Sequence, residues 1–231
     1  YQFVNSFQTA YSPYLMQTYA QEKFENLKKL IVFFSKFSIF LYLLVAVPLF
    51  TFTEFILQIW LNDVPDYALL FTRLTLIVVF FEVLSAPLWL TVQASGNIQR
   101  YQIIISFILI LNLPIAYMCF MEWNQPVFAF VAKIFTAILA FIFRVYSVGL
   151  LGCLNIKEYV TGLLLRLVGL LVVIIPIIYF NFYHKISSIS EMMLNTFSII
   201  FLLIIVAFFL LLNRNEYKII FKFISKIFKK V

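Results

Sequence analysis

Six stretches of the chain are almost unbroken runs of apolar residues, each about 20 residues or longer, the length an α-helix needs to cross a hydrocarbon layer of about 30 Å. They run Leu30–Phe52, Tyr67–Gln93, Tyr101–Met121, Pro126–Leu151, Val160–Asn181 and Met192–Asn213. Ahead of them Phe3–Met16 reads as the last turns of a helix that begins upstream. The connections are short, and none is large enough for a separate folded domain. The pattern therefore predicts an all-α, polytopic membrane helix bundle. Residues 1–29 are the end of a transmembrane helix plus a loop, 30–151 hold four transmembrane helices, 152–213 hold two more, and 214–231 form a tail.

The polar residues of the connections alternate in kind. Lys23, Lys28 and Lys29 precede the first span, Arg100 follows the second, Lys157 the fourth, and Arg214, Lys218, Lys222, Lys226, Lys229 and Lys230 the sixth. The intervening loops carry Glu54, Asp63, Asp66, Glu122 and Glu191, with Lys185 as their one basic residue. Basic residues mark cytoplasmic loops, so the Lys23 loop and the tail are expected inside. In the tail, Lys218, Lys222, Lys226, Lys229 and Lys230 fall on one helical arc, and Ile220, Phe223, Ile224, Ile227 and Val231 on the opposite one. That segregation predicts a basic amphipathic helix on the inner leaflet. Glu22–Leu30 reads as a shorter version of the same device.

Composition removes the competing classes. Apolar residues make up 64% of the 231 and charged residues 12%, against about 45–50% and about 25% in soluble domains. The 19% of aromatic residues excludes a disordered chain. The net charge of +7 belongs to the basic loops of a membrane protein and implies no nucleic acid. Cys119 and Cys153 fall near opposite membrane faces, too far apart for a disulfide. His184 has no partner at metal-ligand spacing, so no metal and no cofactor is expected. Gln93–Arg100 lacks a phosphate-binding GxxxxGK[ST] pattern, and no Ser/His/Asp constellation points to an enzyme. Because the sequence opens with Tyr1 inside an apolar stretch, it reads as the C-terminal piece of something longer.

Charge inside the spans is where chemistry is to be sought, because each such group costs a few kcal/mol unless it reaches an interface, a partner or a wet cavity. The candidates are Lys36, Arg73, Glu82, Lys133, Arg144 and Arg166. Lys36, Arg166 and Arg73 lie toward the ends of their spans and are expected to snorkel to the headgroups. Lys133 and Arg144 lie on one face of the fourth span, about 16 Å apart, with Thr136, Ala137 and Ala140 between them. A stripe of small residues bounded by two cations suits a wet path for an anionic headgroup; the same stripe also suits close helix packing. Glu82 shares a helix face with Thr75, Ala86, Trp89 and Gln93 and is the counter-ion or ion-coupling candidate, with Arg73 on the opposite face. Pro87 and Pro114 each remove a backbone donor and are candidate hinges.

Several local patterns resemble the C-terminal half of the polysaccharide (O-antigen type) flippases of the multidrug/oligosaccharidyl-lipid/polysaccharide exporter superfamily. They are SPYLMQTYAQEKFENLKKL at Ser12–Leu30, WLNDVPDYALLF at Trp60–Phe71, QASGNIQRYQIIIS at Gln93–Ser106, LNLPIAY at Leu111–Tyr117 and the Arg of FIFRVYS at Phe141–Ser147. The resemblance runs over roughly Tyr1–Val160. It implies a MATE-like fold of two six-helix bundles facing across a cavity, with this chain as the rest of the second bundle and Val160–Asn213 as an extra pair. It implies movement of an undecaprenyl-diphosphate-linked oligosaccharide from inner to outer leaflet of the bacterial inner membrane, by ion-coupled alternating access, for lipopolysaccharide or other surface polysaccharide. The partners are then the lipid-linked oligosaccharide, membrane lipids and the missing N-terminal bundle. A multidrug (organic cation) exporter of the same superfamily and a membrane-embedded polysaccharide polymerase are the alternatives.

Overall fold

Ser and Thr within the apolar runs return their hydroxyls to carbonyls of the preceding turn, which lets polar side chains sit in a membrane-crossing helix with no outside partner. In the computed structural model Thr51, Thr72, Ser85, Thr91 and Ser147 all do so, at 2.7 to 2.8 Å. The structure describes residues 2–61, 63–183 and 188–210. These residues form helices joined by short turns, and six of the helical segments are long and apolar enough to cross a membrane. The basic tail, His184 and Lys185 lie outside the described residues.

The helices are α1 (Gln2–Ala20), α2 (Phe24–Thr51), α3 (Thr53–Trp60), α4 (Ala68–Ala94), α5 (Gln99–Ile110), α6 (Asn112–Trp123), α7 (Val127–Leu150), α8 (Ile156–Tyr159), α9 (Leu165–Tyr183) and α10 (Ile189–Leu210), with a π turn at Val160–Leu164 between α8 and α9. All six predicted spans are present, with three adjustments. The stretch Glu22–Leu30 is not a surface helix, because from Phe24 onward it is the start of α2. Leu27 and Ile31, one turn apart, are both fully buried, and no helix breaker separates them from the apolar run. The third span divides at Leu111, which keeps helical dihedrals. Pro114 has no N–H to offer the carbonyl of Ile110, so the ladder loses a rung there. The fifth span begins at Ile156 and passes through the π turn.

The most extensive contact is between α4 and α7; α4 also packs on α2 and α1, α7 on α6 and α5, and α2 on α9 and α10. Aromatic pairs mark the seams, with Phe71 stacked on Phe130 at 4.7 Å and Phe81 tilted against Phe141 at 6.4 Å. Tyr11 of α1 stacks on Phe34 of α2 at 4.2 Å. α8 is tied to α2 by the fully buried Tyr159, whose hydroxyl donates to Ser35 Oγ at 3.3 Å.

The turns gather by charge at two ends. At the basic end, Gly96 (φ +72°) and Gly152 (φ +69°) supply the left-handed backbone conformation that closes the turns after α4 and α7. Gly149 also lets α8 come close, since a Cβ there would stand 2.7 Å from Ile156 Cδ1. Cys153, in the turn after α7, is fully buried beside this end, and burial pushes its thiol above the ordinary range. At the acidic end α3 turns away from α2 at Phe52, leaving Trp60 exposed. Interfacial Trp is the usual occupant of such a position.

Candidate functional site

α7 has 24 residues and so rises about 36 Å. Lys133 sits about 9 Å from its acidic end and Arg144 about 9 Å from its basic end. Lys133 is exposed, and makes no hydrogen bond or ion pair with a described residue. Arg144 is half-buried. Its Nε donates to Tyr101 Oη of α5 at 3.1 Å, and its two Nη groups bond no described residue.

Between the two cations the stripe is closed at Thr136 and Ala140, and Ala137 is half-buried. Thr136 is 2% exposed, Ala140 1%, and Thr136 Oγ1 bonds back to the carbonyl of Lys133 at 3.0 Å. The small residues let helices approach, so the face is not an open path along its length, and the cations stand at either end of a packed seam.

Glu82 lies near the middle of α4, about 21 Å along from Ala68, and its side chain is exposed. α4 and α7 are neighbours, so the structure places all three candidate groups on one helix pair. No hydrogen bond or ion pair joins Glu82 to Lys133 or Arg144. Pro87 is buried and α4 runs unbroken through it, with Thr91 Oγ1 donating to the Pro87 carbonyl at 2.8 Å. Pro114 is exposed, just past the interruption at Leu111.

The remaining cations divide. Arg73 does not reach out freely to headgroups. Its Nε donates to the carbonyl of Phe50 at 3.3 Å and its guanidinium lies 5.4 Å from the Phe50 ring centroid. It therefore binds the start of α4 to the end of α2, where carbonyls lack helical partners. Lys36 was expected to snorkel and is instead enclosed by protein, at 2% exposure. The reason is its company: its helix lies at the centre of the assembly, with α1, α4, α9 and α10 packed around it. Arg166 is half-buried.

Sequence reasoning passed over Tyr101. It is 9% exposed and stacked on Phe143 at 5.9 Å and 18°. Its place just after the glycine turn was visible in the sequence. Its partnership with Arg144 was not, because that depends on which helix α5 packs against.

The MatE family model matches residues 1–118. The matched part runs from α1 into α6 and includes Glu82, Pro87 and Pro114, while Lys133 and Arg144 lie beyond it. No curated protein and no solved structure matched the chain. With half of its residues matched and six helices able to cross a membrane, the chain belongs to the MatE family and is a multi-pass membrane transporter of the multidrug/oligosaccharidyl-lipid/polysaccharide exporter superfamily.

Proposed function

We propose that this chain forms one bundle of a flippase that carries an undecaprenyl-diphosphate-linked oligosaccharide across the bacterial inner membrane by ion-coupled alternating access. The observation that carries the reading is the state of Arg144, a half-buried guanidinium inside a span whose Nη groups bond no described residue. A fork of this kind suits a phosphate, whose oxygens it meets two at a time. Lys133 supplies a second positive station toward the other end of the same helix. Two cations against the single carboxylate of Glu82 favour an anionic cargo over an organic cation.

Glu82 supports the two-bundle arrangement. An exposed carboxylate near mid-membrane would cost a few kcal/mol or more against lipid. The cost disappears if that face of α4 borders a wet cavity closed by a second bundle, as alternating access about a midplane site requires. Glu82 then serves as counter-ion or ion-coupling group. The basic end is cytoplasmic in this reading.

In proteoliposomes the two-bundle transporter should flip lipid-linked oligosaccharide and leave ethidium untransported, and the 231-residue chain reconstituted alone should flip neither. Ethidium efflux without sugar-lipid flipping would assign the protein to the organic-cation exporters instead. Orientation has its own test. An impermeant maleimide added outside intact cells should label Asp63→Cys and not Lys157→Cys, two exposed positions at opposite ends. The assay uses a Cys119→Ala background, because Cys119 is partly exposed near the acidic end while Cys153 is buried at the other. The reverse labelling pattern would invert the topology.

A further inference from the structure

The contact between Arg144 and Tyr101 has chemical content beyond joining α5 to α7. A guanidinium can meet a phosphate along either of two edges, one formed by Nε with an Nη and the other by the two Nη groups. Tyr101 Oη accepts the Nε proton at 3.1 Å and so occupies the first edge, leaving the second. The phenol ring has little freedom to swing away. It is 9% exposed, and it stacks at 5.9 Å on Phe143, the residue preceding Arg144 on α7.

We propose that Tyr101 is a positioning residue for lipid-diphosphate binding: by holding Nε it fixes the plane of the Arg144 guanidinium and presents the Nη edge to one phosphate of the cargo. This inference rests on the flippase reading. It adds a residue outside the charged set and predicts a directional effect. An Arg144 side chain without its phenol partner still carries its charge but must be ordered at the moment of binding, and that ordering weakens the complex. Lysine at position 144 has no Nε–H to hold, so the tyrosine hydroxyl should matter only while arginine is present.

The test measures binding of undecaprenyl diphosphate to the full transporter in nanodiscs, for wild type, Tyr101→Phe, Arg144→Lys, the double variant and Arg144→Ala. Tyr101→Phe keeps the ring and removes the acceptor, and should weaken binding about tenfold, the worth of one charge-assisted hydrogen bond. Its thermal midpoint should fall only slightly, as for the loss of one hydrogen bond in a chain that still folds. Arg144→Lys should weaken binding at least as much, and adding Tyr101→Phe to it should cause no further loss, the non-additivity expected of two groups acting as one. Wild-type affinity in Tyr101→Phe, or losses that simply multiply in the double variant, would remove Tyr101 from the site and leave a packing contact. If Tyr101→Phe binds normally while Arg144→Ala does not, the positioning role fails and the flippase reading stands. If Arg144→Ala itself binds as tightly as wild type, both fall.

Discussion

Transport by the Arg144→Ala variant should fall by about a hundredfold in a flipping assay, with the protein still present in the membrane at its normal level. A diphosphate leaving water must exchange its hydration for fixed positive charge. Two charge-assisted bonds from the Nη groups are together worth about 3 kcal/mol or more, and every 1.4 kcal/mol is tenfold. Arg144→Lys should be impaired and not dead, since an ammonium retains the charge and loses the planar fork. Lys133→Ala should cost less than Arg144→Ala, because the exposed ammonium at Lys133 is held by no described neighbour and gains less from pre-organisation. Glu82→Gln should change the ion dependence of transport more than the affinity for cargo. Normal transport by both Lys133→Ala and Arg144→Ala would reduce the two cations to snorkelling side chains and remove the basis for an anionic substrate.

The largest loss of stability should come from Tyr159→Ala. The side chain is completely buried where α8 meets α2, so its truncation leaves a cavity the size of a phenol. Emptying an aromatic site of this kind costs about 3–5 kcal/mol. Tyr159→Phe should cost only about 1 kcal/mol, the net worth of the bond to Ser35. Thermal unfolding in detergent should therefore show a large drop for the alanine variant and a small one for phenylalanine. Two equal drops would mean that the hydroxyl and not the ring holds the contact; an alanine variant melting with the wild type would mean that α8 is not fastened there.

The six spans were legible because a membrane imposes length and polarity on every segment that crosses it, and the grouping of turns by charge followed from the same constraint. The interruption at Leu111 was foreshadowed by Pro114. Burial inside the bundle was not legible, because lipid and protein neighbours are equally apolar. A sequence in which Phe, Ile and Leu serve both environments does not say that α2 is surrounded, and so it did not say that Lys36 is enclosed. The same gap hid the closed stripe of Thr136 and Ala140, for which wet and packed readings were both open. It also hid the hydrogen bond between Arg144 and Tyr101, whose residues lie 43 positions apart. Charged positions could be found by reading along the chain. Their partners depended on the packing of helices.

The π turn at Val160–Leu164 changes how the following helix must be read. Tyr159, Leu163, Leu167, Leu170 and Ile174 are all buried, and the first two steps between them are four residues long. At the ordinary pitch two such steps drift by about 80°, and the three-residue step that follows brings the line back to about 20°. A helical wheel drawn through this segment at the ordinary pitch keeps all five on one arc about 80° wide. The wide turn holds one residue more than an α turn, a residue the seam does not need. Deleting one residue between Val160 and Leu164 should therefore restore the ordinary ladder and leave Tyr159 facing Ser35.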